Sequence, residues 1–198
     1  MIEHQQTWWD NNLGKRFDEF VSWVGSKDAT SKVFFRNYVK NKQYKSLIDL
    51  GCGNATEFFG YKEEYPELTY LGVDSCKLLY DKNKEAGVPM VLAYASNTQL
   101  EDNSADVVFA RHVLEHQPDF KLVLNEMIRL ASKESIHVFF MPPTQAPTHI
   151  GYDPTENLYH NRFNKLEIEE HISNNEKVAS YEWLKISSIE TALIIQIK

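Results

Sequence analysis

The chain has 198 residues, of which 42% are hydrophobic and 25% are charged, as expected for one globular domain with a sizeable core. Its formal net charge is −7 and its basic residues form no cluster, which disfavours a nucleic-acid partner, and no apolar run approaches the roughly 20 residues that span a bilayer. The N-terminus lacks signal-peptide features and the only cysteines are Cys52 and Cys76, so we expect a cytoplasmic protein with buried thiols and no membrane partner.

Two amphipathic helices are predicted ahead of the first strand. Apolar residues recur at spacings of three and four between residues 5 and 24, and again between Ser31 and Asn41. Because both segments precede the strands, we expect them to cover a site rather than to build the sheet.

From residue 45 onward, short apolar strands alternate with amphipathic helices. Strands are predicted at 46–51, 69–74, 90–94, 105–110 and 136–140, and helices at 55–64, 76–86 and after Pro118. This alternation predicts an α/β fold with a doubly wound parallel sheet.

The C-terminal part departs from that alternation. Asn164 and Glu167 have capping-box spacing, which predicts a helix that ends near Ser173. Apolar runs at 178–186 and 189–197 then predict an antiparallel hairpin at the edge of the sheet.

The first predicted strand ends in a glycine-containing turn, Ile48-Asp49-Leu50-Gly51-Cys52-Gly53. Glycines at such a turn allow a ligand to approach the main chain closely. Asp74 closes the next strand about 20 residues later, where a nucleotide-binding βαβ unit places a carboxylate on ribose hydroxyls. A nicotinamide site would need a further glycine at Thr56, so that alternative is disfavoured.

With these pieces in place, the chain resembles the class I S-adenosylmethionine-dependent methyltransferases that act on small molecules. The resemblance rests on Ile48 to Gly53, Leu71 to Ser75, Leu100 to Val108 and Val113 to His116, which occur in the family's order. One departure is Ala55, which replaces the third glycine of the family's first motif.

The resemblance implies a Rossmann-like, doubly wound seven-stranded sheet, mostly parallel with a C-terminal antiparallel hairpin, plus an N-terminal helical cap. It also implies S-adenosylmethionine as the cofactor and S-adenosylhomocysteine as the product. The single methyltransferase domain, 1–198, would comprise the cap (1–44), the cofactor-binding core (45–142), an acceptor-side loop (143–163), and the helix and terminal hairpin (164–198).

The family's arrangement assigns cofactor contacts as well. The implied residues are Asp49, Gly51, Cys52, Gly53, Asn54, Asp74, Ser75, Tyr94, Ala95, Ser96 and Arg111. Asp49 would help to hold the methionine ammonium group, and Asp74 would bind both ribose hydroxyls. Tyr94 stands where the family often has an acid that contacts adenine, so Ser96 or Asn97 would replace that contact.

The run Arg111-His112-Val113-Leu114-Glu115-His116 has three interpretations. It matches an inverted zinc-protease motif, but that motif requires a helix and this one follows a strand. It also resembles the Glu-x-x-Glu-His metal site of ubiquinone-biosynthesis O-methyltransferases, which would make His112, Glu115 and His116 ligands of a divalent metal. Alternatively, His112 or His116 acts as a catalytic general base, and we favour His112 because it lies nearer the strand end.

Acceptor-binding residues are expected in the N-terminal cap and in the long segment after the fifth strand. The candidates are Trp8, Trp9, Arg16, His149, Tyr152, Tyr159, His160 and Arg162. Aromatic rings beside Asn and Arg side chains suit a sugar or a carboxylate-bearing small molecule. We therefore expect methyl transfer to a hydroxyl of a sugar or related metabolite. A non-catalytic nucleotide-binding module and a protein or RNA methyltransferase are the alternatives, and the sequence leaves the oligomeric state open.

Overall fold

The computed structural model describes residues 25–155 and 158–198. The helix expected between residues 5 and 24 lies outside the described residues. The helices are α1 (Thr30–Asn41), α2 (Thr56–Glu64), α3 (Lys77–Glu85), α4 (Phe120–Leu130) and α5 (Lys165–Ser173), with a short 3-10 helix at Leu114–His116. The strands are β1 (Ser46–Leu50), β2 (Thr69–Asp74), β3 (Met90–Leu92), β4 (Ala105–Arg111), β5 (Ala131–Phe139), β6 (Tyr152–Asp153), β7 (Leu158–Tyr159), β8 (Val178–Lys185) and β9 (Thr191–Ile197).

Seven strands form one sheet in the order β3-β2-β1-β4-β5-β9-β8. The first five strands in this order are parallel to one another, whereas β9 is antiparallel to both β5 and β8. The expected doubly wound sheet with a terminal hairpin is confirmed. Strand order reverses between β1 and β4, which opens a crevice at the carboxyl ends of these strands, where ligands bind in folds of this class.

Among the parallel strands, the largest differences from the predicted bounds are in β3 and β5. β3 is shorter than expected and ends at Leu92. β5 begins at Ala131, five residues earlier than predicted, because buried polar residues interrupt its apolar pattern. Among these, Glu134 is fully buried and accepts a hydrogen bond from Gln196 Nε2 at 2.6 Å. Because this carboxylate is hydrogen-bonded, it can be buried in the strand, but in the sequence it breaks the apolar pattern from which the start of the strand was predicted.

The predicted start of α5 is correct, although only half of the capping box forms. The Asn164 side chain accepts hydrogen bonds from the backbone N–H groups of Leu166 (2.8 Å) and Glu167 (3.2 Å). The Glu167 carboxylate instead accepts a hydrogen bond from the Thr148 hydroxyl, which in turn accepts from the Asn164 N–H. The helix start is thereby attached to the segment that precedes β6.

The core lies on both faces of the sheet. Helix α4 covers one face with the fully buried side chains of Val123, Leu124 and Met127, and α1 covers the other face with Phe35 and Val39. Within the described ranges, no helix is long and apolar enough to cross a membrane.

Substitutions on opposite sides of α4 test this packing. Met127→Ala should lower the free energy of unfolding by about 2–5 kcal/mol, because the residue is fully buried and the substitution leaves a cavity. Leu122→Ala on the same helix is the control, since Leu122 is 47% exposed and should change stability by about 0.5 kcal/mol or less. Urea unfolding followed by circular dichroism measures both, and equal losses would contradict the assigned helix face.

Candidate active site

A cavity of about 230 Å³ lies at the carboxyl ends of β1, β2 and β4. The expected cofactor residues that line it are Asp49, Gly51, Cys52, Gly53, Asp74, Ser75, Tyr94, Ala95 and Arg111. Asn54 and Ser96 do not line this cavity. The structure thus brings most of the expected set together around one pocket, which we call the cofactor pocket.

The glycine turn is fixed by close contacts on two sides. Gly51 has φ +74°, and a Cβ atom there would lie 2.6 Å from Cγ2 of Val113. The Gly53 N–H donates to the Asp74 carboxylate at 2.9 Å, and the Cys76 N–H donates to the other oxygen of that carboxylate at 2.9 Å. Asp74 therefore joins the turn after β1 to the start of α3, which preforms this side of the pocket.

Ala55, in place of the family's third glycine, adopts the left-handed conformation with φ +51° and is fully buried. Glycine takes this conformation at no steric cost, whereas alanine is strained by roughly 1 kcal/mol. Replacement of the glycine by Ala55 therefore makes the turn more strained, but the backbone still adopts the left-handed conformation at this position.

A buried acid lies at the floor of the pocket. Asp49 is 3% exposed, and its carboxyl group accepts a hydrogen bond from the Tyr70 hydroxyl at 2.6 Å. Burial, reinforced by the nearby charge of Glu57, raises the pKa of Asp49 to about 7. A cationic group in the pocket would reverse that effect, because it favours the ionised carboxylate.

The pocket residues that the sequence reasoning missed include Lys32 from α1, and Thr56 and Glu57 from the first turn of α2. Lys32 Nζ donates to Thr56 Oγ1. Burial lowers the pKa of Lys32 and raises the pKa of Glu57. Thr56 and Glu57 could have been predicted as pocket residues because they directly follow the glycine turn. Nothing in the local sequence pattern distinguished Lys32 from a surface lysine of the helix.

His112 is held by a glutamate that the sequence reasoning did not identify. Glu190, in the turn between β8 and β9, is 7% exposed. One of its oxygens accepts hydrogen bonds from Ser31 Oγ (2.9 Å), Arg111 Nη2 (2.9 Å) and His112 Nε2 (3.0 Å). Burial alone would raise the pKa of Glu190, but hydrogen bonds from His112 and Ser31 and the charge of Arg111 lower it to about 2. No local pattern links Glu190 to His112, because 78 residues separate them.

The contact with Glu190 also assigns the tautomer of His112. An ionised carboxylate only accepts hydrogen bonds, so Nε2 carries the hydrogen and Nδ1 carries the lone pair. Burial lowers the pKa of His112, outweighing the hydrogen bond to Glu190, which raises it. His112 has φ +59°, a strained conformation for a residue with a side chain. The ring is thus held as a neutral base at the edge of the pocket.

His116 lies at the boundary of the pocket and has a fixed tautomer of its own. Its Nδ1 donates to the Tyr159 carbonyl at 2.7 Å, which leaves the lone pair on Nε2. The ring stacks on Phe140 and contacts His160 edge to face, with centroids 5.5 Å apart in both cases. Burial lowers the pKa of His116, so the neutral form is favoured here as well.

The contacts of Glu115 are with groups other than the two histidines that would complete a metal site with it. Its carboxylate accepts hydrogen bonds from the backbone N–H groups of Phe140 (2.8 Å) and Met141 (3.3 Å), and lies 3.6 Å from His137 Nε2. In residues 25–155 and 158–198, no group of three His, Cys, Asp or Glu side chains is placed to hold a metal ion. The structure therefore does not bring His112, Glu115 and His116 together as ligands.

A second cavity, of about 1020 Å³, lies beside the cofactor pocket, and we call it the acceptor-side groove. It is lined by Phe140, Met141, Pro142, Thr144, Ala146, Pro147, His149, Gly151, Tyr152, Asp153, His160, Arg162, Phe163, Ser188 and Ile189. Four expected acceptor residues, His149, Tyr152, His160 and Arg162, are among them, whereas Tyr159 is buried against Tyr152. Trp8, Trp9 and Arg16 lie outside the described residues.

Several solved structures share the fold. 1,6-Didemethyltoxoflavin-N1-methyltransferase of Burkholderia thailandensis, crystallised with 1,6-didemethyltoxoflavin and S-adenosylhomocysteine, is 13% identical with a TM-score of 0.71, covering 99% of this chain and 89% of that one. Plantazolicin methyltransferase in complex with S-adenosylhomocysteine is 12% identical with a TM-score of 0.69, covering 98% and 94%. Magnesium protoporphyrin IX methyltransferase of Synechocystis, with bound S-adenosylmethionine, is 14% identical with a TM-score of 0.64, covering 98% and 97%. No curated protein sequence matches the chain.

The sequence itself matches a family model. Residues 48–139 match the model of a methyltransferase domain, and this range runs from β1 to the end of β5. It contains the glycine turn, Asp74 and the histidine run, which together surround the pocket. This match identifies a methyltransferase domain over just under half of the chain, and the fold is the one that the chain shares with the S-adenosylmethionine-dependent methyltransferases above.

Proposed function

We propose that this enzyme transfers the methyl group of S-adenosylmethionine to a hydroxyl of a small polar acceptor, such as a sugar or related metabolite, that binds in the acceptor-side groove. The observation that carries the proposal is the position of His116. Its ring lines the cofactor pocket and contacts Phe140 and His160, which line the groove. A methyl group bound on one side and a hydroxyl bound on the other would meet beside this ring.

The residues of the cofactor pocket fit the groups of S-adenosylmethionine. Asp74 offers carboxylate oxygens to ribose hydroxyls, and the glycine turn offers bare main chain to the methionine part. Asp49 and Glu57 are buried acids that suit an ammonium group, whereas Lys32 and Arg111 suit a carboxylate. Bound S-adenosylmethionine supplies an electrophilic methyl group on a positively charged sulfur.

His112 is the general base of the proposed mechanism. Glu190 accepts the Nε2 hydrogen of His112, which leaves Nδ1 as the basic nitrogen. As the acceptor oxygen bonds to the methyl carbon, the carbon–sulfur bond breaks and the hydroxyl proton passes to Nδ1. His116 aligns the acceptor at the boundary between the two cavities. Alignment of this kind supplies roughly 7–11 kcal/mol at best.

We also infer a small acceptor rather than RNA, and a cytoplasmic location. The net charge of −7 opposes the binding of a polyanionic chain. Cys52 and Cys76 are both buried thiols, which suits a reducing compartment.

The cofactor assignment is tested by Asp74→Asn. This variant removes a charged acceptor of ribose hydrogen bonds, so affinity for S-adenosylhomocysteine should fall by about 10-fold or more. Asp81→Asn on α3 is the matched control, because Asp81 pairs with Lys77 at the surface and should leave affinity unchanged. Isothermal titration calorimetry measures both variants. Failure of the unaltered protein to bind S-adenosylhomocysteine would overturn the proposed function.

The ammonium contact of Asp49 predicts a coupled proton release. With a pKa of about 7, Asp49 is mostly protonated at pH 6.5, and an ammonium beside it favours the ionised form. Binding of S-adenosylhomocysteine should therefore release more than about half a proton at pH 6.5, and affinity should rise as the pH increases from 6 to 7.5. Calorimetry in two buffers of different ionisation enthalpy measures the release. Asp49→Asn should abolish it, and a release that persists in this variant would exclude Asp49 as its source.

The role of Glu190 can be separated from a merely structural one by a pH profile. Glu190 favours the protonated form of His112, so Glu190→Gln should lower the pKa of His112 and move the acidic limb of the rate profile to lower pH. The plateau rate should also fall, because the base is weaker. Methyl transfer is followed with labelled cofactor and an acceptor identified from a panel of sugars and phenols.

Two further variants complete that test. His112→Gln should abolish turnover while leaving affinity for S-adenosylhomocysteine within about twofold, since the base does not hold the cofactor. Glu176→Gln removes an exposed acid elsewhere and is the charge control. A slower Glu190→Gln enzyme whose profile stays in place would mean that Glu190 only stabilises the fold.

A further inference from the structure

The acceptor-side groove presents three nitrogen-bearing side chains on one face of a short backbone ladder. His149 and Arg162 pair in antiparallel register, with N–H to O=C hydrogen bonds of 2.8 and 3.0 Å between them. Residues paired in this way direct their side chains to the same face, and His160, two residues before Arg162, shares it. All three side chains line the groove.

Gly151 lets the His149 ring lie along this ladder. The His160 N–H donates to the Gly151 carbonyl at 2.7 Å, so the ladder continues past Arg162. A Cβ atom at Gly151 would lie 3.3 Å from His149 Nε2 and 2.9 Å from the His160 carbonyl oxygen. The absence of a side chain at this position therefore allows the His149 ring to lie close to His160.

The polar side-chain atoms of these residues are not used to hold the described part of the chain together. Within it, none of His149, His160 and Arg162 donates a side-chain hydrogen bond or forms an ion pair. The acid in the groove lining, Asp153, accepts a hydrogen bond from the Thr155 N–H at 2.7 Å. Arg162 is the one Lys or Arg side chain in that lining, so a fixed positive charge faces the groove of an otherwise acidic protein.

The remaining walls of the groove are largely apolar and partly open to solvent. Tyr152 is 45% exposed, and Ile189, from the turn between β8 and β9, is 65% exposed. Phe140 lies at the inner end, in contact with the rings of His112 and His116. A ligand in the groove would thus meet a cation and two imidazoles on one wall, and largely apolar surface elsewhere apart from Asp153, Thr144 and Ser188.

We propose that the acceptor is an anion, whose carboxylate or phosphate group binds Arg162 with His149 and His160 while its body packs between Tyr152 and Ile189. The proposal rests on the proposed function, because it makes the groove the acceptor site of the methyl transfer. The guanidinium group of arginine offers two parallel N–H donors to such an anion, a geometry that a neutral acceptor does not match.

Matched pairs of small molecules test this proposal on protein saturated with S-adenosylhomocysteine. The pairs are 4-hydroxybenzoate against 4-hydroxybenzamide, and glucuronate against glucuronamide, which differ in charge but hardly in shape. Phenyl phosphate is added to distinguish a phosphate from a carboxylate. Calorimetry should show at least one anion binding about 10-fold or more tightly than the corresponding neutral compound.

Variants then test whether the preference for anions over amides depends on Arg162 in the backbone ladder. Arg162→Gln should reduce the anion-to-amide ratio to about 1–2, and Arg162→Lys should restore only part of it, because lysine keeps the charge but not the paired donors. Lys165→Gln is the control for net charge, since Lys165 lies three residues away, faces Glu169 and does not line the groove. It should leave the ratio unchanged.

Equal affinity for anions and amides, no binding of any probe, or a preference that survives Arg162→Gln would overturn the proposal. These results are distinguishable from failure of the proposed function, because affinity for S-adenosylhomocysteine is measured in the same samples. Retained cofactor binding without an anion preference would contradict only the anionic acceptor. Absence of cofactor binding would contradict the methyl transfer itself.

Discussion

The site depends on one carboxylate, that of Glu190, which joins three parts of the chain that are distant in sequence. A single oxygen of this residue accepts hydrogen bonds from Ser31 in α1 and from Arg111 and His112 at the end of β4. A buried carboxylate is costly unless it is paired and hydrogen-bonded, and here Arg111 supplies the charge and the other two groups supply donors. The terminal hairpin therefore does more than extend the sheet, because its turn carries the group that fixes the tautomer and direction of His112.

The cofactor pocket shows the same use of buried ionisable groups. Its floor contains Asp49 and Glu57 with raised pKa values and Lys32 with a lowered one, and burial is the leading cause for each. None of these groups is fully compensated by its protein neighbours. A ligand with one ammonium and one carboxylate group would supply the missing opposite charges, which is why this combination favours an amino-acid moiety over a neutral molecule.

The sequence was sufficient for the sheet and for the residues that follow its strands. Asp49, Gly51, Gly53 and Asp74 could be found because strand, glycine turn and following acid are local signals with a fixed spacing. The start of β5 could not be found, since Glu134 interrupts its pattern and its buried carboxylate is bound by distant groups, Gln196 in the partner strand and Tyr38 and Lys42 from another part of the chain. Pairing between strands is a long-range property that a single segment does not display.

The least predictable residues were those that serve the site from another part of the chain. Glu190 lies in a short turn between two strands, and nothing near it indicates a ligand or a catalytic partner. Conversely, Glu115 had the spacing of a metal ligand, but its carboxylate binds the backbone after β5. Spacing shows which residues share a segment, whereas the direction of each side chain depends on groups that the fold brings to it.

The two walls of the acceptor-side groove are also the supports of the two histidines. The ladder that carries His160 includes Tyr159, whose carbonyl holds His116, and the turn that carries Ile189 includes Glu190, which holds His112. A molecule in the groove therefore lies against both segments that set the positions of the candidate catalytic rings. In the proposed mechanism, acceptor recognition and proton transfer would share the same short segments, so a change that reshapes the groove would also act on the proposed base.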